Sequence, residues 1–243
     1  MKPDVPVARR EDYEIGRCLP QDNPALRDLI RRYHYTRSVT NAGTLFCARR
    51  RRDGAIVGGA VYLPPPRGAA VRYALTDPSR TIHLSRLVVA PGEPQNLAGM
   101  IIAASLRAIE KDGRFDTVIT FADQSEGHTG TVYRATNAIA CGVSRPAIYW
   151  VDPETGSRVS QKATENRSVA QMKSLGYRPE KSSGKYCFIW YLPLGSPAYR
   201  SIEDRIARNP ASGLMDPGSS WPIAGFAIGA SIGAGVTYLV NRE

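Results

Sequence analysis

A strand–helix–strand unit between residues 81 and 123 constrains the fold more than any other feature of the sequence. Residues 81–90 alternate between two faces, residues 96–112 carry a broad apolar stripe that ends at Gly113, and residues 117–123 form a second apolar run. A crossover helix of this kind joins parallel strands, so we predict parallel pairing. The alternation of the first strand places Ile82, Leu84, Arg86 and Val88 on one face. His83, Ser85, Leu87 and Val89 lie on the other.

The remaining elements predict an α+β (α/β) fold with a mixed sheet. Asn23-Pro24 begins a helix that ends near His34-Tyr35, and residues 44–48 and 55–63 form a hairpin. Later elements are a short helix at 131–139, a strand at 148–151, a helix at 163–175 and a strand at 185–192. Helices and strands that alternate in this way indicate one layered domain.

A basic excess points to a polyanionic partner. The net charge is +10, and the first 52 residues hold 12 basic and 6 acidic residues. This balance favours double-stranded DNA or another nucleic acid. The run Arg49, Arg50, Arg51 and Arg52 is predicted to contact phosphates, and a solvated hairpin turn before Asp53-Gly54 is the alternative.

Cysteine and histidine spacings give no zinc pattern. The four cysteines are far apart, and the three histidines include no pair at helical spacing. Cys47, Cys141 and Cys187 lie among apolar residues and are predicted to be buried thiols. No apolar run follows the charged N-terminus, so the host-cell cytoplasm is the expected compartment.

Three segments are expected along the chain: a basic N-terminal segment at 1–22, a catalytic domain at 23–208, and a Gly-rich apolar tail at 209–243. Residues 217–241 carry no charge, and residues 222–240 are mostly apolar with two overlapping G-x-x-x-G spacings. This tail has the length of a membrane-spanning helix, which makes membrane contact through 222–240 one expectation. A flexible or partner-docked tail is the other, because small residues outnumber large apolar ones.

Two charged residues stand out on predicted core strands. Asp123 ends a strand, where ligands bind in sheets with parallel strands, and it could act as a base or hold a metal. A turn-forming Asp is the structural alternative. Arg86 lies between apolar residues and needs a carboxylate, a phosphate or a water-filled cleft.

Aromatic and basic residues near the first helix suggest a nucleic-acid face. His34 and Tyr35 end this helix, and Tyr133 follows Asp123 on the next short helix. A capping histidine and a core tyrosine are the structural alternatives. Arg31, Arg32 and Arg37 add positive charge, and a flipped base could stack on Tyr33, Tyr35, Phe121 or Trp150.

Together these residues resemble the motifs of one family, the Mom proteins of bacteriophages. The matching segments are His34-Tyr35, Leu84-Ser85-Arg86-Leu87, Phe121-Ala122-Asp123, and Gly127-His128-x-Gly130-Thr131-x-Tyr133-x-Ala135-Thr136-Asn137. The resemblance covers about residues 23–193, and the last motif is the most specific. The order of elements is similar to that of the GNAT acyltransferase fold.

The resemblance implies a DNA-modification enzyme. Mom proteins convert the N6 amine of adenine in phage DNA to a carbamoylmethyl derivative, which shields the DNA from host restriction. Carried over by motif, the functional residues are His34, Tyr35, Ser85, Arg86, Asp123 and Tyr133. An iron(II) cofactor is also implied, with His34, Tyr35 and Asp123 as the candidate ligands.

One departure bears on the donor of the transferred group. Acetyl-CoA-using GNAT enzymes place a Gln/Arg-x-x-Gly-x-Gly/Ala turn before a helix, where backbone N–H groups hold pyrophosphate. Here the turn runs from Pro91 to Gly99, with Glu93 and Pro94 inside it, which argues against conventional acyl-CoA binding.

Two other functions compete with DNA modification. A conventional N-acetyltransferase would leave the basic charge unexplained, and a DNA-binding protein without activity would leave the retained motifs unexplained. No Asp/Asn-Pro-Pro-aromatic motif occurs, which disfavours an adenine methyltransferase.

Overall fold

The computed structural model describes residues 7–38, 42–144, 146, 148–160, 167–181 and 183–195. A seven-stranded mixed sheet in the order β1-β2-β3-β4-β5-β10-β6 forms its centre. These strands are β1 Tyr13–Arg17, β2 Thr44–Arg50, β3 Ile56–Leu63, β4 Thr81–Val89, β5 Thr117–Asp123, β6 Ile139–Val143 and β10 Lys185–Tyr191. The predicted α+β class with a mixed sheet is confirmed.

Helices cover both faces of this sheet. On one face, α1 (Asn23–Tyr33) buries Leu26 and Ile30 against β3 and β4, and α2 (Arg67–Tyr73) buries Tyr73 against β5 and β10. On the other face lie α3 (Leu97–Asp112) and α4 (Thr131–Arg134). We call these the α1 face and the α3 face. The short α4 replaces the predicted helix at 131–139, because Ile139 already begins β6.

The predicted parallel pair is β4 with β5, and the two strands separate towards their carboxyl ends. Pairing runs from Thr81 and Thr117 to Leu84 and Thr120, where the Thr120 hydroxyl donates to the Leu84 carbonyl at 2.9 Å. Both strands continue beyond this point, but they no longer pair with each other. Their carboxyl ends therefore part, and the gap between them can admit a ligand.

A β-bulge at Ser85 overturns the predicted face of Arg86. Val61 pairs with Arg86 and Tyr62 with Leu84, which leaves Ser85 as the extra residue. An extra residue reverses the alternation that follows it. Arg86 consequently lies on the α1 face with His83, whereas Leu84 lies on the α3 face.

A second, separate sheet has three strands in the order β8-β7-β9. It contains β7 (Ile148–Val151), β8 (Arg158–Ser160) and β9 (Arg178–Lys181), and α5 (Val169–Ser174) precedes β9. Val143 pairs with Tyr186 at the end of the β6–β10 ladder, and Ile148 pairs with Lys181 in the β7–β9 ladder. The second sheet therefore extends past the sheet edge that carries Asp123. The predicted helix at 163–175 is shorter, because Ser168 caps it in a capping box; residues 161–166 lie outside the described part.

The N-terminal segment contributes the edge strand β1, which the sequence did not predict. One consequence corrects the prediction for Cys47, which forms a disulfide with Cys18. Gly16 pairs with Cys47, and the Cys18 N–H donates to the Leu45 carbonyl, so the two cysteine Cα atoms lie 4.9 Å apart. Cys141 and Cys187 are buried free thiols, as predicted.

The predicted tail at 209–243, including 222–240, lies outside the described residues. Among the residues that are described, no helix has the length and apolar character needed to cross a membrane.

Candidate functional site

Asp123 lies at the carboxyl end of β5, where β5 has separated from β4. It pairs with Lys185 of β10 in the sheet. The Lys185 Nζ is 2.7 Å from Asp123 Oδ2, and the Ser125 hydroxyl donates to Oδ1 at 2.6 Å. Only 6% of the Asp123 side chain is exposed. Burial opposes ionisation, but the hydrogen bonds from Lys185 and Ser125 outweigh it and lower the Asp123 pKa. The site therefore contains a fixed carboxylate.

Arg86 is a half-buried cation on the same face of the sheet. Its Nε donates to the Ser38 carbonyl at 3.0 Å, and its Nη1 donates to the Ser85 carbonyl and hydroxyl at 2.8 and 2.9 Å. All of these acceptors are uncharged. Within the described residues no carboxylate lies within ion-pair distance of this guanidinium. The structural alternative of a salt bridge is thus not borne out in the described part of the chain, and Arg86 can accept an anionic ligand.

His34 and Tyr35 follow the C-terminus of α1 and stack with ring centroids 4.6 Å apart. Burial, together with the positive charge of Arg86, lowers the His34 pKa to about 3. The His34 Nδ1 lies 2.9 Å from the Thr36 hydroxyl. The lowered pKa favours the neutral imidazole at pH 7, so a charged histidine that stabilises the helix end is disfavoured.

All three histidines of the chain lie at this site, although the sequence singled out only His34 as functional. The Tyr35 ring contacts His128 edge-on at 5.3 Å, and His83 contacts Phe121 edge-on at 5.5 Å. Burial, followed by the charge of Arg86, lowers the His83 pKa to about 4. These rings, with Phe121, give the site an aromatic and largely uncharged lining.

Tyr133 lies on the α3 face, away from the other predicted residues. Its ring packs against Phe188 at 5.3 Å and Trp190 at 5.8 Å. It also lies near Tyr62, whose pKa is raised by burial and, to a smaller extent, by Tyr133. Tyr133 therefore lies across the sheet from the residues of the α1 face, as the structural alternative of a core tyrosine expects. Of the other predicted stacking residues, Trp150 is buried and Tyr33 is exposed.

Some of the arginines predicted to contact DNA form ion pairs with acidic residues, and others do not. Asp28 pairs with Arg32, Asp22 pairs with Arg49, and Asp53 and Glu93 pair with Arg50. Arg52 lies 3.9 Å from Asp53 at the exposed hairpin turn. Arg31, Arg37 and Arg51 have no ion pair among the described residues.

The implied iron does not fit the residues present. His34, Tyr35 and Asp123 are neighbours, but Asp123 is bonded to Lys185 and the His34 Nδ1 to Thr36. Burial raises the Tyr35 pKa, which keeps its phenol protonated. In the described part of the chain, no group of three or more His, Cys, Asp or Glu side chains is arranged to hold a metal ion.

The turn before α3 is occupied by the chain itself. Ala8 donates its N–H to the Asn96 Oδ1 at 2.7 Å, and the Asn96 amide donates back to the Ala8 carbonyl at 2.9 Å. The Glu93 carboxylate, 6% exposed, accepts from Tyr13 and pairs with Arg50. A buried carboxylate and a bound backbone segment therefore occupy the turn at which the GNAT resemblance would expect pyrophosphate to bind.

Comparisons with known proteins give a family and several distant structural relatives. The Mom protein family pattern matches residues 19–192. No curated protein matches the sequence. Solved structures with partial similarity include a GNAT-family acetyltransferase from Desulfovibrio desulfuricans, at 14% identity and TM-score 0.45, covering 74% of this chain and 98% of that one. The ribosomal-protein-S18-alanine N-acetyltransferase from Escherichia coli has 13% identity and TM-score 0.43, covering 76% of this chain and 97% of that one.

Proposed function

Because the chain belongs to the Mom protein family, we propose that it transfers a carbamoylmethyl-type group to the N6 amine of adenine in phage DNA. Protection of this DNA from host restriction is the proposed role. The observation that carries the proposal is that a negatively charged and a positively charged side chain lie on one face at the same edge of the sheet. A fixed carboxylate, Asp123, and a guanidinium with only neutral partners, Arg86, share the α1 face with an aromatic lining.

In the proposed reaction, the target adenine leaves the base stack and enters the opening beyond Leu84 and Thr120. Enzymes that act on a base within a duplex commonly extrude it in this way. Tyr35 and Phe121 offer ring faces for the adenine, and the Asp123 carboxylate accepts a hydrogen bond from the exocyclic amine. As the N6–carbon bond forms, the bond from this carbon to the rest of the donor breaks, and the donor remainder departs with the bonding electron pair. The amine loses one proton, and the Asp123 carboxylate is the proposed base for it.

Arg86 is the proposed binding group for the donor. A half-buried guanidinium with only neutral acceptors is best balanced by a carboxylate or phosphate of the ligand. The bulge at Ser85 turns Arg86 towards the α1 face, and the Ser85 hydroxyl fixes its Nη1.

Nucleoside mass spectrometry tests this function directly. We expect DNA from bacteria that express the full chain to contain deoxyadenosine with the added mass of a carbamoylmethyl group. A different added mass would keep DNA modification but change the donor chemistry. Unaltered nucleosides from cells that contain the soluble protein would contradict the proposal.

Retention on double-stranded DNA should weaken steeply with salt, because lysine and arginine contacts to phosphates release counterions. We expect the double variant Arg31→Ala/Arg37→Ala to reduce the slope of log K against log salt by about two. The matched control is Arg107→Ala/Lys111→Ala on α3, which removes the same charge from the opposite face. Equal slopes for these two variants would show that the α1 face does not contact DNA.

Coenzyme A should not bind at the turn before α3, because Glu93 and the Ala8 segment occupy it. Isothermal titration of the full chain with acetyl-CoA is expected to give no saturable heat. Micromolar binding with one site per chain would contradict this expectation and favour an acyl-CoA donor.

A further inference from the structure

We propose that Lys185 supplies the cation at Asp123, so that this carboxylate is a fixed anion for the substrate amine and not a metal ligand. The inference rests on the proposed function for its substrate, but the Lys185–Asp123 contact is a property of the fold. The sequence did not single out Lys185.

Strand pairing fixes this contact. Lys185 is directly opposite Asp123 in the β5–β10 ladder, so both side chains leave the sheet on the α1 face. The ammonium is 2.7 Å from Oδ2, while Ser125 binds Oδ1 through its hydroxyl and its backbone N–H. Each oxygen of the carboxylate thus has a donor from the chain.

The positive charge of Lys185 disfavours the binding of a second cation at this site. Its charge lowers the pKa of His34, His83 and His128, in each case as a smaller cause than burial. One ammonium therefore influences every histidine of the site. A metal ion that used Asp123 would have to displace Lys185 and would be repelled by Arg86 as well.

Lys185 is a positioning residue in this arrangement, because it acts through Asp123. The side chain of Lys185 is 31% exposed and that of Asp123 is 6% exposed, so removal of the lysine would leave a buried carboxylate without its counter-charge. An arginine could restore the charge and a hydrogen bond, whereas a methionine could restore only the volume.

Metal titration is the first test. We expect the full chain to show no stoichiometric uptake of Co(II), followed by visible absorption and calorimetry, that depends on Asp123. Uptake of one Co(II) per chain that is lost in Asp123→Asn would overturn the proposal, because Asp123 would then be a metal ligand.

The second test separates positioning from folding. We expect Lys185→Met to reduce adenine modification about 100-fold and Lys185→Arg to retain most of it, as for loss of a group that orients an acid–base residue. Equal modification by wild type and a folded Lys185→Met variant would overturn the proposal.

Urea unfolding of a double-mutant cycle gives a readout without activity. Lys185→Met/Asp123→Asn should unfold at a higher urea concentration than Lys185→Met alone, because the unpaired carboxylate is gone. Additive effects of the two changes would contradict the pairing. If wild type produced no modified nucleoside, the proposed function would fail, while Co(II) uptake and this cycle would still decide the role of Lys185.

Discussion

Asp123→Asn is expected to reduce modified deoxyadenosine in cellular DNA at least 100-fold. General acid–base groups contribute about 10² to 10⁴ in rate, and the amide can neither take up the amine proton nor pair with Lys185. The amide keeps the shape of the side chain, so the loss would report chemistry more than volume. The measurement is nucleoside mass spectrometry of DNA from cells with equal amounts of soluble protein.

Asp112→Asn is the matched control for this change. Asp112 also forms an ion pair, with Arg17 at 2.8 Å, but both side chains are about half exposed on the rim of the domain. Exposed pairs contribute about 0–1 kcal/mol, so modification by Asp112→Asn should equal that of wild type. Undiminished modification by Asp123→Asn would remove this residue from the reaction.

Gly130→Ala is expected to destabilise the fold by about 3 kcal/mol, from a left-handed backbone and from overpacking. Gly130 has a φ of +74° and caps the N-terminus of α4. A Cβ here would overlap the Phe188 ring, which itself packs against Tyr133. The free energy of unfolding, measured in urea, should fall accordingly, and Tyr133 should lose its position.

Gly113→Ala separates the two causes. Gly113 has a φ of +69°, but no atom lies within 4 Å of an added Cβ. This variant should therefore show only the backbone cost, about 1 kcal/mol. Equal losses for the two variants would mean that the Phe188 ring yields without cost.

The sequence predicted the parts of the fold that depend on apolar periodicity. The β4–α3–β5 unit, α1 and β10 have long apolar patterns, and their bounds differ from the prediction by only a few residues. Strand β1 was missed because Tyr13–Arg17 is short and mostly polar or charged. Without this strand, the neighbouring positions of Cys18 and Cys47 could not be foreseen.

The sequence predicted those residues of the candidate site that belong to a recognisable motif. His34, Tyr35, Ser85, Arg86 and Asp123 lie together on or beside the α1 face, although their roles in DNA modification stay predictions. The alternation of apolar residues in the sequence does not reveal the bulge at Ser85, so the predicted face of Arg86 was wrong. Lys185 could not be found because strand register, which the sequence does not specify, places it opposite Asp123.

The place of the second sheet in the chain, between β6 and β10, has a consequence for variation within the family. Val143 and Tyr186 are paired, so the chain leaves and re-enters the main sheet at neighbouring points. Since lengthening a loop whose ends are already joined adds little entropic cost, this excursion can grow, shrink or change sequence while the seven-stranded core keeps its geometry. The excursion leaves from the edge that bears Asp123, so the surroundings of the candidate site can vary while the strands that carry its residues stay the same.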